Sequence, residues 1–308
     1  MKISGTICAS LTPFNKDYSI NHNLFFNHCK NLLVNGADKI VIFGTTGEAN
    51  LISLDEKIEA MTSLIDNGFN ADNLLPGTGL TSIEETIKLS KHANRLKMSG
   101  VLILPSCYYR NLTNQGLIDY YSNIVDSVAN QGLKLILYHI PQISGVPINF
   151  DVIEKLIKKY PDNVVGIKDS SNDINNMLEM VKTFPGFSVF SGSDSLALLL
   201  TQSGGAGAIT ASANISLPLL SYLVKNANDK TKNDTLVLAQ SLQDKIRKII
   251  FSQEQIAFMK AVMNILTNSN DWDVLIPPLI PLNNPKDNEN LIEILELIKE
   301  MNKLSRNF

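Results

Sequence analysis

The sequence predicts an α/β fold, a (β/α)8 TIM barrel with a C-terminal helical extension. Eight short apolar segments alternate with eight amphipathic segments over roughly the first 225 residues, and such alternation is typical of a parallel sheet. Eight strand–helix units in that length match a closed barrel. The alternative is an open, doubly wound sheet, but no Gly-x-Gly-x-x-Gly follows the first strand, which weakens a dinucleotide-binding version of it.

The predicted strands are rich in apolar residues and do not alternate strictly between apolar and polar positions. This pattern is expected of parallel strands that helices cover on one side and side chains fill on the other. In chain order the strands are Ile3–Ser10, Lys39–Phe43, Leu74–Gly77, Gly100–Leu104, Leu133–His139, Val164–Lys168, Ser188–Ser191 and Ala206–Thr210.

The helices between these strands carry start and stop signals. Ser53-Leu54-Asp55-Glu56 and Thr81-Ser82-Ile83-Glu84 are capping boxes, whose side chains satisfy free N–H groups of a first helical turn. Gly36 suits the C-terminal end of the first helix. Helices are predicted at Asn21–Asn35, from Ser53, from Thr81 to about Lys97, after Leu112 to about Asn130, and at Asn149–Lys159, Asp173–Thr183, Leu196–Gln202 and Leu217–Asn226.

The alternation stops after Lys225, and the polar segment 226–233 is predicted to be a junction. Three helical stretches follow, Asp234–Phe251, Gln253–Thr267 and Glu289–Lys303, and a proline-rich segment makes a rigid connection between the last two. The apolar faces of these helices must be buried on the barrel or on another subunit. We therefore predict a barrel with the active site, residues 1–225, and a C-terminal helical region packed on the barrel, residues 226–308.

The composition argues against several classes of partner. The formal net charge is -3, the pI is about 5.8 and no long basic run occurs, so nucleic acid and anionic membranes are poor candidates. No run of about 18 apolar residues is present, and the first residues are too polar for a signal peptide. Three scattered cysteines indicate a reducing cytoplasm. Neither the cysteines nor the four histidines cluster at metal-ligand spacing, so no metal site is expected.

Polar residues follow several predicted strands at their C-terminal ends, where the active sites of such barrels lie. These residues are far apart in sequence, and their coincidence at one end of the barrel is the main argument for a site. They are Thr45, Thr46, Tyr108, Tyr109, Tyr138, Lys168, Ser193 and Asp194.

Lys168 ends the sixth predicted strand, after Val164-Val165-Gly166-Ile167. Apolar surroundings disfavour its ammonium form, and a neutral amine can attack a carbonyl carbon to form a Schiff base. We therefore predict that Lys168 is a nucleophile. A solvated lysine at the end of a strand is the alternative that this stretch alone leaves open.

Two further features fit the same chemistry. Gly44 and Gly47 permit close backbone approach, and Thr45 and Thr46 add hydroxyl and N–H groups, so this loop suits a small carboxylate. Tyr138 lies on an apolar strand, where its phenol can relay protons. An ordinary turn and a core tyrosine with a satisfied hydroxyl are the respective alternatives.

Four motifs occur in an order and spacing that resemble a known family. They are Gly44-Thr45-Thr46-Gly47-Glu48, Tyr108-Tyr109, Tyr138-His139-Ile140-Pro141 and Gly166-Ile167-Lys168-Asp169. Together they resemble the dihydrodipicolinate synthase / N-acetylneuraminate lyase family of Schiff-base-forming, pyruvate-dependent class I aldolases. The resemblance covers essentially the whole chain. It implies pyruvate held covalently on a lysine with no metal or dissociable cofactor, small keto acid and aldehyde substrates, and a homotetramer built as a dimer of dimers.

The resemblance also implies roles for single residues at the matching positions. Lys168 would form the Schiff base and Tyr138 would transfer protons, with Thr45 hydrogen-bonded to the phenol. Tyr109 resembles the tyrosine that is lent across a dimer interface to a neighbouring site. Substrate-binding positions are expected at Thr46, which would hold the pyruvate carboxylate, and at Gly47, Ile209, Ser193 and Asp194.

The loop after Tyr138 departs from the synthase branch of the family. Synthases carry an arginine two residues after the proline, where it holds the carboxylate of aspartate semialdehyde, and Ile143 stands there in this chain. Loss of a bidentate anion clamp is not neutral for a carboxylate substrate. Arg110, directly after Tyr109, is a cation that could replace it, and an ordinary exposed loop arginine is the alternative. The runs Ile143-Ser144-Gly145 and Ser191-Gly192-Ser193-Asp194 are more similar to sialic acid lyases and keto-deoxy sugar acid aldolases.

We therefore predict a pyruvate-dependent class I aldolase or lyase that uses a lysine Schiff base and cleaves or forms a 2-keto-3-deoxy (sugar) acid. The alternative is a 4-hydroxy-tetrahydrodipicolinate (dihydrodipicolinate) synthase, which condenses pyruvate with aspartate semialdehyde in lysine biosynthesis. A catalytically silent pyruvate-binding protein is disfavoured, because little else requires the lysine, the tyrosine and the threonines together.

Overall fold

The computed structural model describes residues 2–106, 108–128, 132–283 and 285–308. Within these ranges the strands are β1 (Gly5–Ala9), β2 (Lys39–Val41), β3 (Val101–Ile103), β4 (Leu135–His139), β5 (Val164–Asp169), β6 (Ser188–Ser191) and β7 (Gly207–Thr210). They form one parallel sheet in the order β2-β1-β7-β6-β5-β4-β3. The two outermost strands, β2 and β3, do not pair directly in that order, and a further segment lies between them.

Leu74–Gly77 closes the barrel between β2 and β3. Leu74 forms a parallel bridge to Ile40, and Gly77 forms one to Leu102. The segment was predicted as a strand, but isolated bridges and no continuous ladder join it to β2 and β3. The N–H groups of Leu75 and Gly77 donate to Ile40 and Ile42 on one side, and Pro76, which has no N–H of its own, accepts from Leu102 on the other. A side chain at Gly77 would place its Cβ 2.2 Å from the carbonyl oxygen of Phe43, so only glycine permits this close approach. The predicted TIM barrel is confirmed with one irregular seam.

Helices follow the strands around the barrel and continue beyond it. In chain order they are α1 (His22–Val34), α2 (Leu54–Asp66), α3 (Ile83–Arg95), α4 (Asn114–Val128), α5 (Pro141–Ser144), α6 (Phe150–Lys159), α7 (Ile174–Thr183), α8 (Asp194–Gln202), α9 (Ala213–Asn226), α10 (Asn233–Phe251), α11 (Gln255–Thr267) and α12 (Glu289–Leu304). Ser53 caps α2 as predicted and accepts the N–H of Glu56. Helix α3 is capped by Ser82, which accepts the N–H of Glu85, so its cap lies one residue later than the predicted box from Thr81 to Glu84. The predicted end of α4 near Asn130 lies outside the described residues.

Two predicted boundaries are wrong for local reasons. The second strand ends at Val41 because Phe43 has a left-handed backbone, with φ of 57°. The helix predicted from Leu217 begins at Ala213 and is kinked at Ser216, where φ is -116° and ψ is 26°. Pro218 follows the kink at the start of the second half, where a missing N–H is tolerated.

The core lies in layers that follow from the barrel. Side chains inside the barrel form one buried cluster, which includes Ile7, Val41, Leu75, Leu102, Ile136, Tyr138, Phe190 and Ile209. A larger cluster fills the space between the sheet and the surrounding helices. Tyr138 therefore packs inside the barrel, near the C-terminal end of β4.

Helices α9 to α12 enclose a separate apolar cluster that includes Leu242, Ile246, Phe258 and Trp272. The helical stretches predicted after residue 233 are confirmed, and α5 is a short helix in a loop that was not predicted to be helical. The division of the chain at residue 225 stays a prediction. In the described part of the chain, no helix combines the length and the apolar character that crossing a lipid bilayer requires.

Candidate active site

Lys168 and Tyr138 lie side by side at the C-terminal ends of β5 and β4. They are Cα partners in the parallel register of these strands, and the Lys168 Nζ is 4.2 Å from the centroid of the Tyr138 ring. Both side chains are 6% exposed. The strand continues one residue past Lys168 to Asp169, so the lysine is held within the sheet and is not a solvated strand end. The alternative that the sequence left open for this residue is therefore wrong.

Thr45 and Thr46 lie on a 3-10 turn that follows β2. The turn spans Thr45–Gly47 and begins after Gly44. Thr46 is buried, whereas Thr45 is exposed and its side chain hydrogen-bonds to the phenol of Tyr138. Gly47 lies close to the loop after β1, because a Cβ there would be 2.9 Å from the carbonyl oxygen of Ser10. The turn thus brings two hydroxyl groups to the barrel mouth on the side of Tyr138.

The phenol of Tyr138 is in an unusual electrostatic environment. Burial alone raises its pKa, but the charge of Lys168 and hydrogen bonds from Thr45, Lys168 and Ser170 together outweigh burial and lower the pKa from its ordinary value. These groups favour the phenolate over the phenol. Tyr138 is consequently suited to accept a proton from a substrate hydroxyl and to return it.

Ser170 is a functional candidate that the sequence did not single out. It is buried, its N–H donates to the carbonyl oxygen of His139 at 2.8 Å, and its side chain hydrogen-bonds to the Tyr138 phenol. One sequence feature is related to Ser170, the glycine at position 192. A Cβ on Gly192 would lie 2.0 Å from the Ser170 Oγ, so that glycine makes room for this serine.

His139 and Asp169 are neighbours of the tyrosine and the lysine on the same two strands, and they are Cα partners. The N–H of Ile148 donates to His139 Nδ1 at 3.1 Å, which leaves Nε2 to carry the proton of the neutral ring. Burial lowers the pKa of His139, although Asp169 opposes this effect. His139 therefore anchors the segment before α6 as a neutral ring.

Tyr109 lies outside this group of residues. Its side chain is 68% exposed in the loop after β3, and its ring packs edge to face on Tyr108 with centroids 5.4 Å apart. The two exposed tyrosine rings give this loop an unusually large apolar surface. The role across a subunit interface stays a prediction, because it requires a second copy of the chain.

Ser193 and Asp194 follow β6, the strand that pairs with β5, and Ile209 lies in β7, the next strand around the barrel. All three are buried. Asp194 is already engaged, because Ser212 Oγ donates to its Oδ2 and the Arg247 Nη1 lies 3.2 Å from the same oxygen. The other oxygen, Oδ1, is buried without a hydrogen-bond partner. The predicted substrate contacts of these residues and of Thr46 and Gly47 stay predictions.

The loop that departs from the synthase pattern forms the rim of the barrel. Ile143, in α5, is 56% exposed. Gly145 follows α5 with φ of 66°, and a Cβ there would lie 2.7 Å from Arg110 Cδ. The stem of Arg110 therefore rests on Gly145, beside the position that is Ile143 in this chain.

Lys168 is not the only buried lysine among the described side chains. Lys57 and Lys260 are each 1% exposed, and burial lowers the pKa of Lys57 to about 8 despite the opposing charge of Glu85. Lys57 belongs to α2, outside the barrel, and Lys260 is paired with Glu48 at 2.5 Å. Burial alone therefore does not distinguish Lys168 from the other two lysines; its neighbour Tyr138 does. Among the residues described, no three His, Cys, Asp or Glu side chains are grouped to hold a metal ion.

Known proteins resemble this chain in sequence over most of its length. A sequence model of the Dihydrodipicolinate synthetase family matches residues 2–297. A protein from Methanococcoides burtonii named 4-hydroxy-tetrahydrodipicolinate synthase is 31% identical over 285 residues, which cover 90% of this chain and 92% of the relative.

Solved structures share the architecture over nearly the whole chain. The 4-hydroxy-tetrahydrodipicolinate synthase from Methylacidiphilum fumariolicum SolV superposes with a TM-score of 0.87 at 27% identity, covering 99% of both chains. A sialic acid aldolase from Ruminococcus gnavus superposes with a TM-score of 0.88 at 20% identity, covering 98% of this chain and 99% of that one. The second likeness shows the fold alone.

Proposed function

The chain belongs to the dihydrodipicolinate synthetase family of pyruvate-dependent class I aldolases, and we propose that it cleaves or forms a 2-keto-3-deoxy sugar acid through a Schiff base on Lys168. The observation that carries this proposal is the Nζ of Lys168 held 4.2 Å from the ring centroid of a tyrosine whose pKa is lowered. A nucleophilic amine and a proton acceptor are the two groups that this chemistry requires.

In the proposed cleavage reaction, Lys168 Nζ attacks the C2 carbonyl of the keto acid, and loss of water gives an iminium. The phenolate of Tyr138 takes the proton of the C4 hydroxyl. As the C3–C4 bond breaks, its electron pair moves into the iminium, so an aldehyde leaves and an enamine remains on the lysine. Protonation at C3 and hydrolysis then release pyruvate and restore the amine. All steps use protein groups and water, so the proposal includes no cofactor.

Thr45 and Thr46 have distinct tasks in this scheme. The hydroxyl of Thr45 hydrogen-bonds to the Tyr138 phenol and stabilises its charged form. Thr46 follows in the same 3-10 turn, and we assign the pyruvate carboxylate to its hydroxyl and N–H groups. A carboxylate at this place would also keep the C2 carbonyl in a fixed orientation before attack.

The substrate class rests on the rim of the barrel. Ile143 offers no hydrogen bond to a carboxylate, and its exposed side chain borders the entrance. Buried Ser193 and Asp194 follow β6, the strand next to Lys168, and one carboxylate oxygen of Asp194 has no hydrogen-bond partner. A substrate with several hydroxyl groups would use such acceptors, whereas an aldehyde that carries its own carboxylate would need a cation.

The alternative function is the condensation of pyruvate with aspartate semialdehyde. Two observations favour it: the Methanococcoides burtonii relative is named a synthase, and Arg110 rests on Gly145 beside Ile143. Its guanidinium would then replace the arginine that synthases carry at the position of Ile143. The chemistry at Lys168 and Tyr138 is common to both proposals.

Trapping tests the Schiff base. Incubation with pyruvate and borohydride should add one fixed mass increment to the peptide that contains Lys168, and the Lys168→Arg variant should show none. Lys57 is the matched internal control, because it is buried and has a lowered pKa but lies on α2. Labelling of Lys57 in place of Lys168, or no label at all, would overturn the proposed nucleophile.

A substrate panel separates the two functions. Aspartate semialdehyde and a series of 2-keto-3-deoxy sugar acids are compared by their kcat/KM in coupled assays. Higher kcat/KM with a sugar acid supports the aldolase, and higher kcat/KM with aspartate semialdehyde supports the synthase.

We further propose a homotetramer in which Tyr109 serves a neighbouring subunit's site. The exposed Tyr108–Tyr109 pair supports this, because burial in an interface would remove both rings from water. A Tyr109→Phe variant should lower turnover while the mass in sedimentation stays that of a tetramer. Unchanged turnover would contradict the shared site.

A further inference from the structure

A buried ion pair joins the loop after β2 to helix α11. Lys260 Nζ lies 2.5 Å from Glu48 Oε1, and the two side chains are 1% and 0% exposed. The other carboxylate oxygen of Glu48 accepts a hydrogen bond from the N–H of Ile276 at 3.2 Å. Two parts of the C-terminal region thus hold one carboxylate of the barrel.

Lys260 is enclosed by groups from three parts of the chain. Its Nζ donates to the carbonyl oxygen of Val274 at 2.9 Å and lies 4.5 Å from the ring centroid of Phe14, in the loop after β1. Burial lowers the pKa of Lys260 and raises the pKa of Glu48, and each partner's charge opposes the effect on the other. A desolvated pair of this kind adds little stability over an apolar pair of the same shape. The pair is therefore more important for the positions of the residues it connects than for stability.

Glu48 is the residue that ends the turn carrying Thr45 and Thr46. Its backbone is left-handed, with φ of 57° and ψ of 31°, which a residue other than glycine adopts at a cost in free energy. Its N–H donates to the carbonyl oxygen of Thr45 at 3.1 Å and closes the turn. The ion pair fastens the Glu48 side chain and so stabilises the conformation in which the turn presents Thr45.

We propose that the Glu48–Lys260 pair positions Thr45, and through it the phenol of Tyr138, so that helix α11 sets proton transfer at a site it does not touch. The contacts are continuous from Lys260 to Glu48, through one turn to Thr45, and on to Tyr138. Glu48 and Lys260 are positioning residues in this arrangement. The kinetic consequence rests on the proposed function, whereas the effect on the phenol does not.

The experiment uses Glu48→Gln, Lys260→Met and the double variant. Each single change leaves one buried charge without its partner and should lower the melting temperature. The double variant has no unpaired charge, so its melting temperature should recover most of the loss. It should nevertheless keep kcat on the order of tenfold or more below wild type, because a small misplacement of a catalytic group is costly.

The decisive readout is the titration of Tyr138 itself. Tyrosinate absorbance against pH, taken as the difference from Tyr138→Phe in each background, reports the pKa of this phenol without any turnover. In the double variant the pKa of Tyr138 should rise towards the value measured in Thr45→Val. A double variant that recovers stability, kcat and the wild-type titration would show that the pair only stabilises the fold, and would overturn the proposal.

The Lys57→Met variant is the matched control, since it removes a buried lysine from the outside of the barrel. Its Tyr138 titration should equal that of wild type. Borohydride trapping on the wild type separates the two hypotheses: without a label on Lys168 the proposed function fails, while the titration still decides the role of the ion pair.

Discussion

Tyr138 and Lys168 are Cα partners on adjacent parallel strands, and the lysine Nζ lies 4.2 Å from the centroid of the tyrosine ring. Strand register fixes this relationship, because neighbouring residues of two parallel strands at the same level project to the same face. The proposed nucleophile and proton acceptor are thus placed by paired strands of the barrel and not by a loop.

The first prediction concerns Tyr138→Phe. Removing the phenol deletes the proton acceptor but leaves the amine in place, so kcat should fall by about 100-fold or more with a much smaller change in KM. Trapping of pyruvate on Lys168 should persist, although more slowly. Tyr121→Phe is the control, because Tyr121 is fully buried in α4 and donates to the carbonyl oxygen of Ile103. Equal losses in the two variants would contradict a catalytic phenol.

The second prediction concerns Thr45→Val, which is close to threonine in shape but has no hydroxyl. Loss of one hydrogen bond to the phenolate raises the pKa of Tyr138 above its wild-type value. A rate that depends on phenolate then rises at higher pH than in wild type, and at neutral pH kcat should be about 3- to 10-fold lower. The measurement is the pH profile of kcat. Thr45→Ser keeps the hydroxyl and should keep the wild-type profile; a shifted profile in that variant would contradict the assignment.

The third prediction concerns Ile143→Arg, which restores the cation of the synthase pattern at an exposed rim position. A fork-shaped guanidinium binds a carboxylate with two hydrogen bonds, so kcat/KM for aspartate semialdehyde should rise on the order of tenfold. Ile143→Lys adds the same charge without the fork and should gain less. If both variants leave the ratio of kcat/KM between aspartate semialdehyde and sugar acids unchanged, this rim does not select the substrate.

The fourth prediction concerns stability against acid. His28 is buried with its Nε2 3.0 Å from Asn214 Oδ1, and burial lowers its pKa from 6.5 to about 4. The unfolded chain therefore binds a proton below pH 6.5 that the folded chain does not bind until about pH 4. The contribution of His28 to the free energy of unfolding is therefore complete above pH 6.5 and falls as the pH falls, by about 3 kcal/mol at pH 4.

Chemical denaturation at several pH values measures this loss. His28→Gln keeps a donor for Asn214 without the titration, so its free energy of unfolding should fall less between pH 7 and pH 4. His22→Gln, on the same helix but partly exposed, should lose as much as wild type. If His28→Gln and wild type lose equal stability, another group accounts for the acid sensitivity.

The placement of Lys168, Tyr138 and Thr45 was predictable because all three follow from position. Each lies at the C-terminal end of a strand or directly after one, and a barrel brings such ends together. The approximate bounds of most helices were likewise encoded locally, in capping residues and apolar periodicity. A strand at Leu74–Gly77 was predicted, but its isolated bridges in place of a continuous ladder were not, because an apolar pattern does not specify how regularly a strand pairs.

The partners of charged residues were not predictable. Glu48 was recognised as the last residue of a motif, but nothing in the sequence linked it to Lys260 of α11. Asp194 was expected to face a substrate, and the structure adds Arg247 of α10 as a partner for one of its oxygens. Such pairs depend on how the C-terminal helices dock on the barrel, and helical periodicity does not specify docking.

The irregular seam at Leu74–Gly77 contrasts with the two strands that carry Tyr138 and Lys168. It is held by isolated bridges, whereas β4 and β5 share a ladder of paired residues from Leu135 to His139. Fewer residue pairs therefore join the ring at the seam than beside Lys168. The backbone that carries Lys168 and Tyr138 is consequently the most extensively paired part of the sheet that the structure describes.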